Sequence, residues 1–223
     1  EENNMNKLKL VLAFLMAQTL AISAYAVEFS AGVTGHAGLY SASGHEKIGS
    51  GEKNGSENAV AEFTYASIFA EAKFDRFVIG GHFIPDTVET DTASEQRVDM
   101  RTDGSTATST GTNSAKVEFT SMATAYAAVY LTDNAYFKVG VSSMDIETKE
   151  SLSTGSTYPD TSVDGTEVGF GYNLPISDNA FVRLEGVYVE YDGVTISSTA
   201  NSNTVTLKGI DGVEGRASLG FTF

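Results

Sequence analysis

Apolar and polar side chains alternate along this chain with a period of two, over stretches too many and too regular for a helical reading. The carboxyl-terminal stretch is the clearest short case. Ala217, Leu219, Phe221 and Phe223 fall on one face, and Glu214, Arg216, Ser218, Gly220 and Thr222 fall on the other. A strand needs this pattern when one face meets hydrocarbon and the other a polar interior. A half-buried strand of a soluble sandwich would show it too, so the remaining stretches must decide.

Seven more stretches alternate in the same way. Residues 27–40 place Val27, Phe29, Ala31, Val33, Ala37 and Leu39 outward, against Ser30, Gly32, Thr34, His36 and Gly38. Over about 59–72, Ala61, Phe63, Tyr65 and Phe69 are expected outward and Glu62, Thr64 and Ala66 inward, with Glu71 interrupting the outward face near a turn. Residues 77–84 send Phe77, Ile79, Gly81 and Phe83 outward and Gly80 and His82 inward. In 115–131, Val117, Phe119, Ala123, Ala125, Ala127, Val129 and Leu131 oppose Lys116, Glu118, Thr120, Thr124, Tyr126 and Tyr130. Two stretches open alike, at 132–139 and 177–184, each a turn followed by a strand with a basic residue, Lys138 or Arg183, at the same inward position. Residues 166–174 alternate Val168, Phe170, Tyr172 and Leu174 with Glu167, Gly169, Gly171 and Asn173.

The connections fall into two kinds. Residues 41–58, 85–114, 145–164 and 192–204 are long and rich in Gly, Ser, Thr, Asn and acids, whereas 73–76, 132–134 and 175–179 are short and carry tight-turn residues. Long and short alternate strictly. A soluble sandwich has no reason to sort its connections this way, but a membrane barrel does, with tight turns at one mouth and long loops at the other. The pattern therefore predicts an all-β, antiparallel up-and-down transmembrane β-barrel of about eight strands. The loop at 85–114 is long enough to hide extra β-ribbon.

Ahead of the first strand stands a different segment. From Met5, a cationic start with Lys7 and Lys9 leads into an apolar run and then to Ala24-Tyr25-Ala26, a small-x-small cleavage signal. The run is broken by Gln18 and Thr19 and falls short of the roughly 20 apolar residues that a spanning helix requires. Residues 1–26 are expected to be a leader, with a secretory signal peptide at 5–26 recognised at Ala24 and Ala26, and 27–223 to be one barrel domain.

Composition narrows the chemistry. The 223 residues carry a net charge of −15 and no cysteine, which removes disulfides and argues against a nucleic-acid partner, since that wants a basic face. Most of the negative charge falls in the long connections. Solvated loops are the plain reading of that, and divalent cations shared with lipopolysaccharide phosphates are the alternative. An eight-stranded barrel is just wide enough for side chains to fill it. The charged residues expected inside, Glu62, Lys116, Glu118, Lys138, Arg183, Glu185, Glu214 and Arg216, are balanced in sign, as internal salt bridges require. The alternative is a thin, gated water path whose selectivity follows those charges. A register error of one residue would reverse every face. His36, His45 and His82 keep company with no nucleophile or metal-binding motif, so neither an enzyme nor a cofactor is expected.

With the leader, the eight alternating stretches, the sorted connections and the terminal Leu219-Gly220-Phe221-Thr222-Phe223, the chain resembles the small OmpA/OmpX-type barrels of Gram-negative outer membranes. The resemblance implies export through the Sec pathway and residence in the outer membrane, in contact with its lipid and lipopolysaccharide. It also implies recognition of Phe221 and Phe223 by the barrel assembly machinery, and a structural or surface-interaction role toward an external ligand that the resemblance does not identify. The chain is similar in size to OmpW-type barrels as well, and that likeness implies a small passive channel, porin-like or for small apolar solutes.

Overall fold

The structure, a computed structural model, describes residues 27–48, 51–97, 111–153 and 155–223. The expected leader, with Ala24 and Ala26, lies outside the described residues. Among the described residues ten strands form one sheet: β1 (Val27–Ile48), β2 (Gly51–Phe74), β3 (Phe77–Phe83), β4 (Val88–Glu89), β5 (Ala93–Arg97), β6 (Gly111–Tyr130), β7 (Ala135–Ser151), β8 (Thr161–Ser177), β9 (Ala180–Ser197) and β10 (Thr204–Thr222). Their order is β3-β2-β1-β10-β9-β8-β7-β6, and β3 also pairs with β6, so the sheet closes on itself. Because β3, β4 and β5 follow one another along β6, they make one broken stave, and the ring has eight. Every pairing is antiparallel, as the alternation predicts.

The tight turns follow from local chemistry. Asp75 turns the chain between β2 and β3 at φ 56°, in the left-handed region that Asp tolerates better than most residues. Thr132 Oγ1 accepts from the backbone N–H of Ala135 at 2.9 Å and of Asn134 at 3.3 Å, closing the turn before β7. At the other mouth the strands run further than alternation suggested. β1 and β2 remain paired from Val27↔Phe74 up to Ile48↔Gly51, so most of 41–58 continues a hairpin. The 85–114 connection likewise carries the ribbon of β5 against β6.

Outward faces are apolar around the ring: Phe29, Val33, Leu39, Ile68, Phe83, Val139, Val168, Phe170, Leu184, Val213, Leu219 and Phe221 are all exposed. A contiguous apolar surface of this extent is far beyond what a water-soluble monomer presents and matches a lipid contact. No described helix is long and apolar enough to cross a membrane, which has no bearing on a chain that crosses with strands.

Two faces differ from expectation. Along β2 the phase is inverted: Glu62 lies directly opposite Leu39 and shares its outward face, while Tyr65 lies opposite His36 and Phe69 opposite Gly32, all inward. Expecting these aromatics outward treats them as lipid anchors, but rings also fill small barrels. Along β6 the phase changes at a bulge. Between Thr120 and Ala123 the strand carries an extra residue against β7, with Ser121 at φ 53°. Beyond it Val117 and Phe119 turn in to pack against the interior, and Lys116 and Glu118 turn out. Glu62, Lys116 and Glu118 are therefore not lumen charges.

The wall is not uniform in height. β3 accompanies β2 only from Phe74↔Phe77 to Ile68↔Phe83. At Ile84 the chain bonds to Met122, passes Pro85 and thereafter stays with β6, so above Ile68 the far edge of β2 has no strand neighbour among the described residues.

Candidate functional site: the barrel interior

Inward side chains divide the lumen into two tiers. The half toward the tight turns is ionic and aromatic. Arg183 on β9 grips Glu71 on β2 with two hydrogen bonds, Nη2 to Oε1 at 2.6 Å and Nη1 to Oε2 at 2.9 Å. Its guanidinium lies 5.1 Å from the Phe69 ring centre, 5.0 Å from Phe181 and 5.4 Å from Tyr136, so both charge and cation–π contact hold it. Tyr126 donates to the same Glu71 at 2.8 Å, and Arg183 Nε donates to Asn173 at 2.9 Å.

Further up, three carboxylates share two cations. Lys138 reaches Glu185 at 2.8 Å and Glu167 at 3.4 Å, while Arg216 reaches Glu167 at 2.7 Å and Glu214 at 2.5 Å. Hydroxyls supply the remaining donors. Tyr136 donates to Glu185 at 2.7 Å, and Tyr40 and Tyr65 both donate to Glu214 Oε1. His36 sits between Glu214 at 3.2 Å and Ser67 at 2.8 Å, stacked on Tyr65 at 4.5 Å. His36 and Glu167 are each only 2% exposed, so water does not supply this solvation.

The sequence makes room for some of these rings by pairing them with glycines. Tyr136 lies opposite Gly171, and Phe181 opposite Gly220. A Cβ on Gly171 would stand 2.2 Å from the Tyr136 ring, and one on Gly220 2.3 Å from Phe181. Glycine's missing side chain lets a ring lie flat across the neighbouring strand.

The half toward the long loops is apolar. Tyr40, Ile84, Val88, Met122, Met144, Ile146, Val163, Val189, Tyr191 and Ile210 form one buried cluster, with Phe63, Val117, Phe119 and Leu207 packed against it. Above it the connections are knitted together. Thr199 N–H donates to the Thr157 carbonyl at 2.8 Å, and Asn203 Nδ2 donates to Ser156 Oγ at 2.8 Å. Burial and the nearby Glu46 carboxylate push the Tyr158 hydroxyl up to about 12.

Of the residues expected inside, Lys138, Arg183, Glu185, Glu214 and Arg216 are brought together in the ionic tier. Lys116 and Glu118 instead join an outer-face ladder with Glu89, Glu147 and Lys149, in which Lys116 lies 2.5 Å from Glu89 and 3.2 Å from Glu118. Glu62 is exposed. Phe221 and Phe223 are exposed on the outer face at the turn end. Two carboxylates of the tier, Glu71 and Glu167, are absent from the expected set. Glu167 stands on the inward phase of its stretch, and Glu71 is the residue that did not fit an outward face on β2, which marked the inverted phase.

The spaces within follow the tiers. At the turn end a recess of about 160 Å³ is lined by residues that include Glu28, Glu71, Lys73, Asn173, Asp178 and Phe181. Among His36, His82, Lys138, Arg183 and Arg216 only about 10 Å³ is free, the space of a single water. Among the described residues, no group of three His, Asp or Glu is placed to hold a metal ion.

No protein-family model matches the sequence, and no curated protein does. Solved structures do. The outer membrane protein OprG from Pseudomonas aeruginosa is 13% identical and superposes with a TM-score of 0.55 over 89% of this chain and 97% of that one. The outer membrane protein AlkL, solved in lipid bilayers, is 10% identical with a TM-score of 0.51 over 89% of this chain and 91% of that one. At such identities the likeness is one of fold. With its closed ring of eight staves, apolar outside and ionic within, this chain has the fold of the small eight-stranded outer-membrane β-barrels.

Proposed function

We propose that this chain is an integral outer-membrane barrel of a Gram-negative bacterium with a structural or surface-interaction role, and that ion pairs close its lumen to through-passage. The observation that carries the reading is the shared pairing of Glu167, Glu185 and Glu214 by Lys138 and Arg216, beside the Arg183–Glu71 pair, with a void of about 10 Å³ bordered by Lys138, Arg183, Glu185 and Arg216. Charges buried in a narrow lumen persist when each has a partner, and such pairing leaves no continuous water path. Lipid and lipopolysaccharide surround the outer face, and the exposed Phe221 and Phe223 present themselves to the barrel assembly machinery during insertion. The purified, refolded protein in planar bilayers is expected to be electrically silent at neutral pH. Steady conductance steps whose ion selectivity changes on Lys138→Glu would overturn the closed lumen.

A second reading has its own observation. The wall is open in pairing between β2 and the segment after Pro85, and the interior beside that opening is the apolar cluster with Phe63 and Phe119. Small apolar solutes entering from the loop mouth would leave sideways into lipid, without crossing the ionic tier. The chain holds no tryptophan, so Phe119→Trp gives a single reporter. Quenching of that reporter by a brominated alkane added outside, beyond that of a lipid-facing Phe29→Trp control, supports lateral passage, and equal quenching argues against it.

A further inference from the structure

Arg183 is committed to Glu71, so the neighbouring group has three carboxylates for two cations. Both lumen histidines sit on this group, and they are bonded differently. His36 has a partner at each ring nitrogen, Glu214 and Ser67. His82 does not. Its Nε2 lies 3.3 Å from Arg216 Nη1, and because a guanidinium only donates, this nitrogen must accept. The ring proton is then on Nδ1, which is buried and has no partner among the described residues. Glu167 Oε2 waits 3.8 Å from the same Nε2.

We propose that His82 is a proton-operated switch of the lumen: protonation at Nε2 converts it from an acceptor of Arg216 into a donor to Glu167, and Arg216 withdraws onto Glu214. The inference rests on the closed-lumen reading. An imidazolium has donors on both nitrogens and no acceptor, so its contact with Arg216 becomes donor against donor and charge against like charge. Glu167, freed from Arg216, is within a small shift of the new donor. Arg216 is not stranded, because it already touches Glu214 through Nε at 2.5 Å. The exchange needs one proton from the aqueous mouth and no other reactant.

The surroundings of His82 favour an exchange over simple accommodation. It faces His36 on β1 at 5.6 Å and Tyr126 on β6 at 6.1 Å, with Glu167 on β8 and Arg216 on β10 in contact. Lys138 on β7 and Arg183 and Glu185 on β9 line the same small void, and from β2 Tyr65 stacks on His36. Three fixed cations therefore stand around the ring, and Glu167 is the acceptor within reach of Nε2. A bistable pair of ion-pair arrangements biased by one histidine is an established kind of switch.

Single-channel recording of the refolded full chain at about pH 7.5 and about pH 4 tests this, a window that extends well below ordinary histidine titration. The unaltered protein is expected to be silent at the higher pH and to show opening events at the lower, with His82→Gln reducing their frequency at least about tenfold. Equal silence at both pH values, or acid opening that persists in His82→Gln, overturns the switch. If His82→Gln fails to fold, ring carbon NMR shifts of the unaltered protein decide: His82 must gain its proton over the pH range in which opening appears, and a ring that stays neutral there overturns the proposal. Openings already present at about pH 7.5 would sink the closed-lumen reading alone, provided acid still increases them through His82.

Discussion

Arg183 and Glu71 meet in a two-bond contact inside the barrel although 112 residues separate them in sequence. Arg183 is on β9 and Glu71 on β2, so neither the hairpin of one nor that of the other creates the pair; closure of the ring does. Removing one partner leaves a buried charge without compensation, whereas removing both leaves a hole of neutral character. Arg183→Ala or Glu71→Ala is expected to cost about 3–5 kcal/mol in urea unfolding from lipid vesicles, and the double Arg183→Met, Glu71→Met to lie closer to the parent than either single change. A double variant no better than the sum of the singles would refute the coupling.

Gly171 and Gly220 test a different kind of fit. Each lies under an aromatic ring, Tyr136 or Phe181, at a separation a Cβ cannot share. Gly171→Ala and Gly220→Ala should each destabilise by about 1–3 kcal/mol through overpacking. Gly215, whose Cβ would meet nothing within 4 Å, serves as the control: Gly215→Ala is expected to be near neutral in the same measurement.

The inverted phase of β2 has an equally direct test. Glu62→Ala, on the outer face, is expected within about 0.5 kcal/mol of the parent, as ordinary for an exposed site. Ile68→Lys, also outward but in the apolar band, should cost up to about 2–4 kcal/mol if it lies near the bilayer midplane. Tolerance of Ile68→Lys together with a large loss for Glu62→Ala would restore the opposite phase.

Outside the lipid, the ladder on β6 and β7 makes a pH prediction. The Lys149 ammonium, hydrogen-bonded to Glu147 at 2.8 Å, holds that carboxyl below the usual range. A depressed carboxyl favours the folded barrel above the ordinary glutamate value and loses that contribution as pH falls through the lowered one. Carboxyl NMR titration should place the Glu147 inflection below that of a free glutamate, and Lys149→Ala should return it to the ordinary position. Because Lys149 is exposed and Glu147 partly so, barrel stability should barely respond, and less still in high salt.

Alternation in the sequence determined the class of fold, the ring of about eight staves, the sorting of turns from loops, and the inward position of Lys138, Arg183, Glu185, Glu214 and Arg216. A strand's period of two is a local, steric property, so it can be read one residue at a time. The phase of that period is not always local. Phe63, Tyr65 and Phe69 are acceptable to lipid and to a lumen alike, and only their cross-strand partners, Gly38, His36 and Gly32, decide which they meet. The bulge at Ser121 is also a product of the closed sheet: one extra residue on β6 reverses every face beyond it, which moves Lys116 and Glu118 out and brings Val117 and Phe119 in. Tertiary structure alone chose the partners within the ionic tier, because Glu71 with Arg183 and Glu167 with Arg216 join staves that are not neighbours in the ring. Such contacts depend on the diameter and stagger of the barrel, quantities that no single stretch of chain contains.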